Sequence, residues 1–419
     1  MTEMKVGIIG LGYVGLPLAL AFAEAGHEVV GLDTDSRKVE ALNRAESYIE
    51  DVPAERLSAV TERLRATQDY ADLASCHAVV FCVPTPLTSS REPDLSHLVD
   101  SASALSRVLQ PEQLVVLEST TYPGTTRERI RPILEESGLA AGRDFWLAFS
   151  PERIDPGRTD YTIRNTPKVV GGLTPACAEH AERLYSAVCD EVVRVSTPEA
   201  AELTKLLENI FRSVNIALVN ELSMLCDRLG IDIWEVIDAA STKPFGFMRF
   251  EPGPGMGGHC LPVDPFYLSF KAREHDFYTE FIELAGKINQ NQPAYCVQRI
   301  ERALNAVAKP VNGSRILLLG VSYKAGVGDI RESPTLKMIP LIRDLGGEVA
   351  YHDPHVPELP KFELRSVALD ADELGRADLV AVVTAHPSID YREVVAKAPL
   401  VIDFRGATRG IEAENLVLL

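Results

Sequence analysis

The chain has 419 residues, 46% of them hydrophobic and 24% charged, and carries a formal net charge of -18. That length can supply two or three separately cored domains at about 150 residues each. The negative field excludes a broad nucleic-acid surface or a polybasic membrane anchor, so an anionic ligand must meet locally placed Lys, Arg or backbone N–H groups.

The chain runs into a strand-like segment at Lys5–Ile9 without a basic leader, and no apolar stretch reaches about 18 residues, which points to a cytoplasmic protein. The seven cysteines (Cys76, Cys82, Cys177, Cys189, Cys226, Cys260 and Cys296) include no CxxC pair. Neither a zinc site nor a disulfide framework is expected, and most of these thiols read as small core residues. From residue 5 to about 195 the runs VGIIG, EVVGLD, AVVFCV, LVVLES, KVVGG and VVRV alternate with helix-like stretches, predicting a parallel sheet covered by helices. Thr197-Pro198-Glu199 marks a helix start, and Glu199 to Leu229 keeps apolar residues at helical spacing without Gly or Pro. Such a helix would span roughly 45 Å. It would join two domains and offer a face to another subunit, so a homodimer or larger homo-oligomer is expected. A Pro/Gly-rich loop at Pro252 to Gly258 precedes a further helical stretch around Phe277 to Ala308. After the hinge-like Lys309 to Gly313, the βα pattern resumes with RILLLGVSY, EVAYHD, LVAVVT and LVIDFRG. The predicted architecture is α/β: two Rossmann-like doubly wound parallel-sheet domains, 1–197 and 310–419, joined by a central helical domain, 198–309, that contains the spine helix.

Gly10-Leu11-Gly12-Tyr13-Val14-Gly15 follows a strand and opens a helix, the setting in which a GxGxxG run binds a dinucleotide. Gly10 makes the turn, Gly12 admits the pyrophosphate and Gly15 lets helix and strand pack, while the helix N-terminus favours phosphate. Asp33 closes the next strand, where a carboxylate accepts hydrogen bonds from ribose and repels a 2′-phosphate. NAD is therefore expected over NADP, although Arg37 and Lys38 nearby soften the argument.

Gly255 to Pro265 places Cys260 on a glycine-rich loop that allows close ligand approach. Cys260 is a candidate nucleophile, its alternative being an inert buried thiol. His259 stands without a matching cluster and reads as structural. Lys205 and Asn209 lie one helical turn apart, with Arg212 a turn further on. A lysine near a thiol stabilises thiolate, and the same ammonium can support an oxyanion. A hydride acceptor combined with a cysteine suits aldehyde-to-acid oxidation, in which a thiohemiacetal becomes a thioester that water hydrolyses. Candidates for the base and water-holding groups are Glu152, Asp264 and Thr120, which spacing alone does not bring together.

Seven blocks in this order resemble the family of nucleotide-sugar 6-dehydrogenases, which oxidise UDP-glucose, UDP-N-acetylglucosamine or UDP-N-acetylmannosamine. They are GLGYVGLP at Gly10, VPTP at Val83, ESTTYPGTT at Glu118, SPERI at Ser150, KLLENIFRSVNIALVNE at Lys205, PGPGMGGHCLPVDPFYL at Pro252 and GVSYKAGVGDIRESP at Gly320. The resemblance implies NAD-dependent, four-electron oxidation of a UDP-hexose at C6 through a Cys260 thiohemiacetal and thioester. It makes Lys205 the oxyanion stabiliser, Asp264 with Thr120 the holders of water, Glu152 the base, and Asn209 a sugar contact. It adds Tyr13, Val14, Lys38, Thr85 and Thr120 to the cofactor site and Gly257 to the substrate site. The C-terminal lobe becomes the UDP-binding domain, with Lys324, Arg331 and Arg405 as nucleotide contacts; Gly320-Val321-Ser322-Tyr323 lacks a second GxGxxG, which allows that role.

Within the family, the run from His259 to Leu268 and Lys243-Pro244-Phe245-Gly246 look more like enzymes acting on N-acetylhexosamines than like UDP-glucose enzymes. Arg249 and Glu251 depart from that subgroup, leaving UDP-glucose open. A two-electron hydroxyacid dehydrogenase and a non-catalytic NAD-binding protein are the competing readings. Cys260 and the complete C-terminal lobe weigh against the first, and the presence of Cys260, Lys205 and Asp264 against the second.

Overall fold

A computed structural model describes residues 3–49, 52–88, 92–154, 160–258 and 263–419. His259, Cys260, Leu261 and Pro262 therefore lie outside the described residues. The chain divides into two compact units, Met1–Glu208 with Phe266–Tyr278, and Asn209–Pro265 with Thr279–Leu419.

The first unit is built on eight strands: β1 (Lys5–Ile9), β2 (Glu28–Leu32), β3 (Leu64–Thr67), β4 (Ala78–Phe81), β5 (Leu114–Leu117), β6 (Trp146–Phe149), β7 (Lys168–Gly172) and β8 (Val192–Val195). Their order is β3-β2-β1-β4-β5-β6-β7-β8, so the first six follow the doubly wound dinucleotide-binding arrangement. Alternate residues serve opposite faces, as strand geometry requires. Ile8, Val29, Val80 and Val116 pack with Leu16, Ala19 and Phe22 of the helix Gly15–Glu24. Ile9, Val30, Val79 and Val115 pack with Leu98, Ala102 and Leu105 of the helix Ser96–Ser106. Being covered on both faces, these strands need continuous apolar runs, which is why the sequence shows them so clearly.

One pairing departs from the expected parallel order. β7 runs antiparallel to β6, with Phe149 opposite Gly171 and Ala148 opposite Gly172, and β8 is then parallel to β7. β3 and β6 were not expected at all. β3 (LRAT) carries an outward arginine, and β6 (WLAF) is four residues long with no Val or Ile, so neither shows the Val/Ile-rich run that marks the other strands of this sheet.

The second unit contains a parallel sheet ordered β10-β9-β13-β14-β15, from β9 (Arg315–Leu319), β10 (Glu348–His352), β13 (Leu379–Val382), β14 (Val401–Asp403) and β15 (Leu416–Leu418). A small antiparallel ladder joins β11 (Glu358–Leu359) to β12 (Leu364–Arg365). Ile316, Leu318, Tyr351 and Ile402 pack with Cys296, Ile300 and Leu304 of the helix Glu280–Ala306. Leu317, Leu319, Val380 and Val382 pack on the other side with Leu374, Val394 and Val395.

The spine helix is Pro198–Leu229, 32 residues long. Thr197 Oγ1 caps it by accepting the Ala200 N–H at 3.2 Å, as the sequence leads one to expect. The following long helix, Glu280–Ala306, tolerates Pro293 in its interior. Among the described residues, no helix is long and apolar enough to cross a membrane.

Candidate active site

In the first unit the β1 loop shows three distinct glycine requirements. Gly10 sits at φ +92°, where a Cβ would meet the Cys82 carbonyl at 2.6 Å. At Gly15 a Cβ would lie 1.8 Å from the Gly10 oxygen, whereas at Gly12 it would meet nothing within 4 Å. Gly10 and Gly15 are thus demanded by the chain itself. Gly12 faces open space, the arrangement a pyrophosphate needs.

Asp33 is buried, and its Oδ2 accepts the Leu11 N–H at 2.9 Å and the Lys38 ammonium at 3.0 Å; Oδ1 accepts the Asp35 N–H at 2.9 Å. The carboxylate therefore braces the glycine loop and holds Lys38 beside the end of β2. Tyr13 is exposed, and the Thr85 carbonyl accepts the Tyr267 hydroxyl at 2.9 Å. Thr120 is half-buried just beyond β5. These residues line the carboxyl ends of β1, β2, β4 and β5, the edge at which doubly wound sheets bind ligands.

At the same edge lies a buried charge cluster. Lys168 Nζ is 3.0 Å from Glu118 Oε1 and 3.2 Å from Glu152 Oε2. The Tyr185 hydroxyl donates to Glu118 Oε1 at 2.5 Å, and Lys205 Nζ donates to the Glu152 carbonyl at 2.5 Å. Glu152 Oε1 additionally accepts the N–H groups of Arg153 and Ile154 at 2.7 and 2.6 Å. Burial opposes the charge on Glu152, but Lys168, the Ile154 N–H and Lys205 outweigh it and hold the carboxyl below its usual range. Burial dominates at Glu118 and pushes its carboxyl up despite Lys168.

The reversal of β7 produces this cluster. Continuing the β6–β7 pairing past the strand ends sets Glu152 opposite Lys168, so a residue from the start of a strand reaches the carboxyl ends of its neighbours. Sequence reasoning found Glu152 and Lys205, but gave no role to Lys168, Glu118 or Tyr185. No local spacing links positions 118, 152, 168 and 185; the only signal was the charged Lys at the head of a buried VVGG strand.

In the second unit, Asn209 Nδ2 donates to Asp264 Oδ2 at 2.5 Å, and both side chains are buried. Asp264 opens the helix Asp264–Arg273. The resemblance pointed to both residues, and the structure brings them into contact across 55 positions of chain. Gly257 is packed from behind, since a Cβ would lie 2.6 Å from the Tyr323 Cβ and 3.0 Å from the Glu332 carbonyl. The Gly258 N–H donates to the Arg331 carbonyl at 2.9 Å. The glycines before Cys260 thereby fasten their loop to the segment that carries Lys324 and Arg331.

Asp329 receives the Arg331 Nε at 2.8 and 2.9 Å, fixing that guanidinium. The Lys324 carbonyl accepts the Ser322 hydroxyl at 2.9 Å. Arg405 is exposed and lies over Gly253, where a Cβ would be 2.3 Å from its Nη1. Three cations thus stand on the β9 and β14 loops of this lobe. Burial pushes the thiols of Cys76 and Cys189 up to about 11 and that of Cys82 well above its ordinary value, in keeping with core roles. Among the described residues no group of three or more His, Cys, Asp or Glu is placed to hold a metal ion.

Comparison with known proteins matches this geometry segment by segment. Residues 4–189 match the NAD binding domain of the UDP-glucose/GDP-mannose dehydrogenase family, 199–291 its central domain and 317–410 its UDP binding domain. A UDP-N-acetyl-D-glucosamine 6-dehydrogenase of Pseudomonas aeruginosa is 37% identical, over 92% of this chain and 91% of that protein. A UDP-N-acetyl-D-mannosamine dehydrogenase of Pyrococcus horikoshii is 34% identical, over 97% of this chain and 100% of its own. The solved structure of the UDP-D-ManNAc dehydrogenase from Pyrococcus horikoshii superposes with a TM-score of 0.90 at 32% identity, covering 99% of each chain. With a glycine loop suited to NAD, three cations on the loops of the C-terminal lobe and these matches across nearly its whole length, the chain belongs to the UDP-glucose/GDP-mannose dehydrogenase family of NAD-dependent oxidoreductases.

Proposed function

We propose that the protein oxidises the C6 alcohol of a UDP-N-acetylhexosamine, UDP-N-acetylglucosamine or UDP-N-acetylmannosamine, to the uronate, consuming two NAD. The observation that carries this reading is the buried Asn209–Asp264 contact at 2.5 Å. It holds an acid and an amide at the start of the helix that follows Cys260, where a simple two-electron dehydrogenase has no need of them. The substrate class rests on the relatives named above and on the run from His259 to Leu268. We assign NAD binding to 1–197, catalysis and dimerisation to 198–309 and UDP binding to 310–419.

When bound, NAD accepts the two hydrides removed from the sugar; Gly12, open to a ligand, and Asp33, braced against the loop, suit it. Once the alcohol is an aldehyde, the Cys260 sulfur adds to its carbonyl carbon, and Lys205 supports the oxyanion. Oxidation of that thiohemiacetal leaves a thioester on Cys260. Water held by Asp264 and Thr120 then attacks the acyl carbon and the thiolate leaves. Asn209 contacts the sugar. Glu152 takes the proton from water at Oε2, where the contact with Lys168 leaves a second lone pair. Lys324, Arg331 and Arg405 bind the UDP, with Gly257 beside the sugar.

Leu218, Leu222, Leu225 and Leu229 are all exposed along the spine helix, at spacings of four, three and four. That near-heptad stripe suits a second copy of the chain, so the working unit is a homodimer or a higher homo-oligomer.

The test is NADH yield per sugar, with product masses, for wild type and Cys260→Ser on UDP-GlcNAc, UDP-ManNAc, UDP-glucose and UDP-galactose. Two NADH and a uronate from an N-acetylated sugar, with a stalled Cys260→Ser, are expected. Turnover of UDP-glucose alone would transfer the chemistry to that substrate, and one NADH with an unaffected variant would refute it.

A further inference from the structure

The second sheet repeats a device of the first, with one replacement. After β1 comes Gly10 at φ +92°, and after β2 comes Asp33, whose carboxylate takes the Leu11 and Asp35 N–H groups. After β9 comes Gly320 at φ +85°, and after β10 comes Asp353, whose Oδ2 takes the Val321 and Ser322 N–H groups at 2.7 and 3.0 Å and whose Oδ1 takes that of His355 at 2.9 Å. In the first sheet the further partner is Lys38, whose side chain is 34% exposed. In the second it is His386, which is fully buried.

His386 Nε2 stands 3.1 Å from Asp353 Oδ2 and 3.3 Å from Ser322 Oγ, and its Nδ1 accepts the Gly326 N–H at 3.2 Å. Burial works against the charge on Asp353, but His386 and the N–H groups of Ser322, Val321 and His355 hold its carboxyl down at about 2. An ionised carboxylate only accepts, so Nε2 carries the proton and Nδ1 is bare. The ring is therefore a strut between the two ends of the segment 322–326, within which the Lys324 carbonyl accepts the Ser322 hydroxyl. Thr384 fastens the same segment by donating to the Ser322 carbonyl at 2.7 Å. The other ionisable groups around the ring are His355, with ring centroids 5.2 Å apart, Tyr391, whose hydroxyl donates to the His386 carbonyl, and Asp403 beyond Tyr391.

We infer that His386 is a positioning residue for nucleotide binding: its imidazole, donating from Nε2 to Asp353 and accepting the Gly326 N–H at Nδ1, locks the segment 322–326 that carries Lys324 and so sets the hold on the diphosphate. Without the ring, the Gly326 N–H loses the acceptor it has among the described residues. The inference rests on the reading of this lobe as the UDP site.

The test is calorimetric titration of the full-length wild type and two variants with UDP-N-acetylglucosamine, without NAD, at one fixed pH. His386→Asn, which keeps an acceptor near Gly326, is expected to bind within about threefold of wild type. His386→Gln, which keeps the donor to Asp353 and lacks that acceptor, is expected to bind about tenfold more weakly, comparable to one hydrogen bond. His386→Gln within about twofold of wild type, or an equal loss in His386→Asn, overturns the inference. Absence of wild-type binding overturns the nucleotide reading of the lobe and this inference with it. Hydrogen exchange of peptide 321–328, corrected for intrinsic rates, is the second readout: its protection is expected to fall in His386→Gln and to hold in His386→Asn, and unchanged protection in His386→Gln refutes the lock.

Discussion

Replacing Lys168 by methionine tests the buried charge cluster directly. Lys168 pairs with Glu118 at 3.0 Å and Glu152 at 3.2 Å, and the three side chains are 7%, 0% and 13% exposed. At an effective dielectric of about 20, each attraction is worth about 5 kcal/mol. Removing the ammonium also removes its own desolvation cost, and the carboxylates relax by taking up protons. Loss of one partner from a buried ion pair therefore costs about 3–5 kcal/mol net. The pH dependence has a definite sign. Glu118 already sits above its ordinary pKa, so its contribution is present at low pH and is lost as pH rises. Without Lys168, Glu152 loses a main support of its charge and joins it, so the deficit should grow from about pH 5.5 to about pH 8. Urea unfolding in a Trp234→Phe background measures it, since Trp146, stacked on His180 at 4.5 Å, then reports on the first unit alone. Adding Glu118→Gln should recover about 1–3 kcal/mol by neutralising one stranded carboxylate. A Lys168→Met deficit under about 0.5 kcal/mol at about pH 8, or one independent of pH, would refute the reasoning.

Gly12→Ala should fold with near-wild-type stability but bind NAD at least about tenfold more weakly by calorimetry, a change of about 1.4 kcal/mol; Gly15→Ala, whose Cβ would meet the Gly10 oxygen, should lose about 1–3 kcal/mol or more of stability. Buried Glu202 accepts the Gly124 and Thr126 N–H groups and the Thr126 hydroxyl, while burial, partly offset by those donors, pushes its carboxyl up to about 7. Its contribution to stability is present below about pH 4.5 and is lost as pH rises through about 7, so melting scans of Glu202→Gln should show a flatter fall across that window than wild type. Leu222→Asp on the exposed stripe should shift the light-scattering mass in solution to that of one chain, 45.9 kDa, and a wild type already at that mass refutes the homo-oligomer.

The parts of the molecule legible in the sequence are those whose cause is local. The buried runs at Val6, Val29, Val79 and Val115 announce strands because both faces are covered, and the spacing from Gly10 to Gly15 announces a loop because the backbone itself needs glycine at both ends. β6 and β15 were missed because they are only four and three residues long, and so short a run suffices for a strand once neighbours supply the pairing. Asn209 and Asp264 were each candidates from the residues themselves, Asn209 by its helical spacing from Lys205, but their contact was not legible, since no spacing rule joins positions 55 apart. Lys168 and His386 went unread for the same reason: their partners are fixed by strand order and register, which emerge from tertiary packing. Cys260, the residue on which the sequence reading of the chemistry leans most, lies outside the described residues.

The reversed β7 also acts as an alignment lock. Glu152 and Lys168 are opposite because Phe149 faces Gly171, and neighbouring strand residues point to opposite sides of a sheet. A slip of one residue would put Pro167 or Val169 in the place of Lys168, carry the ammonium to the other face and strand Glu118 and Glu152 without a cation. The length of the connection from 153 to 167 is then free to vary so long as that pairing holds, and the cluster itself selects the correct register as the edge of the sheet assembles.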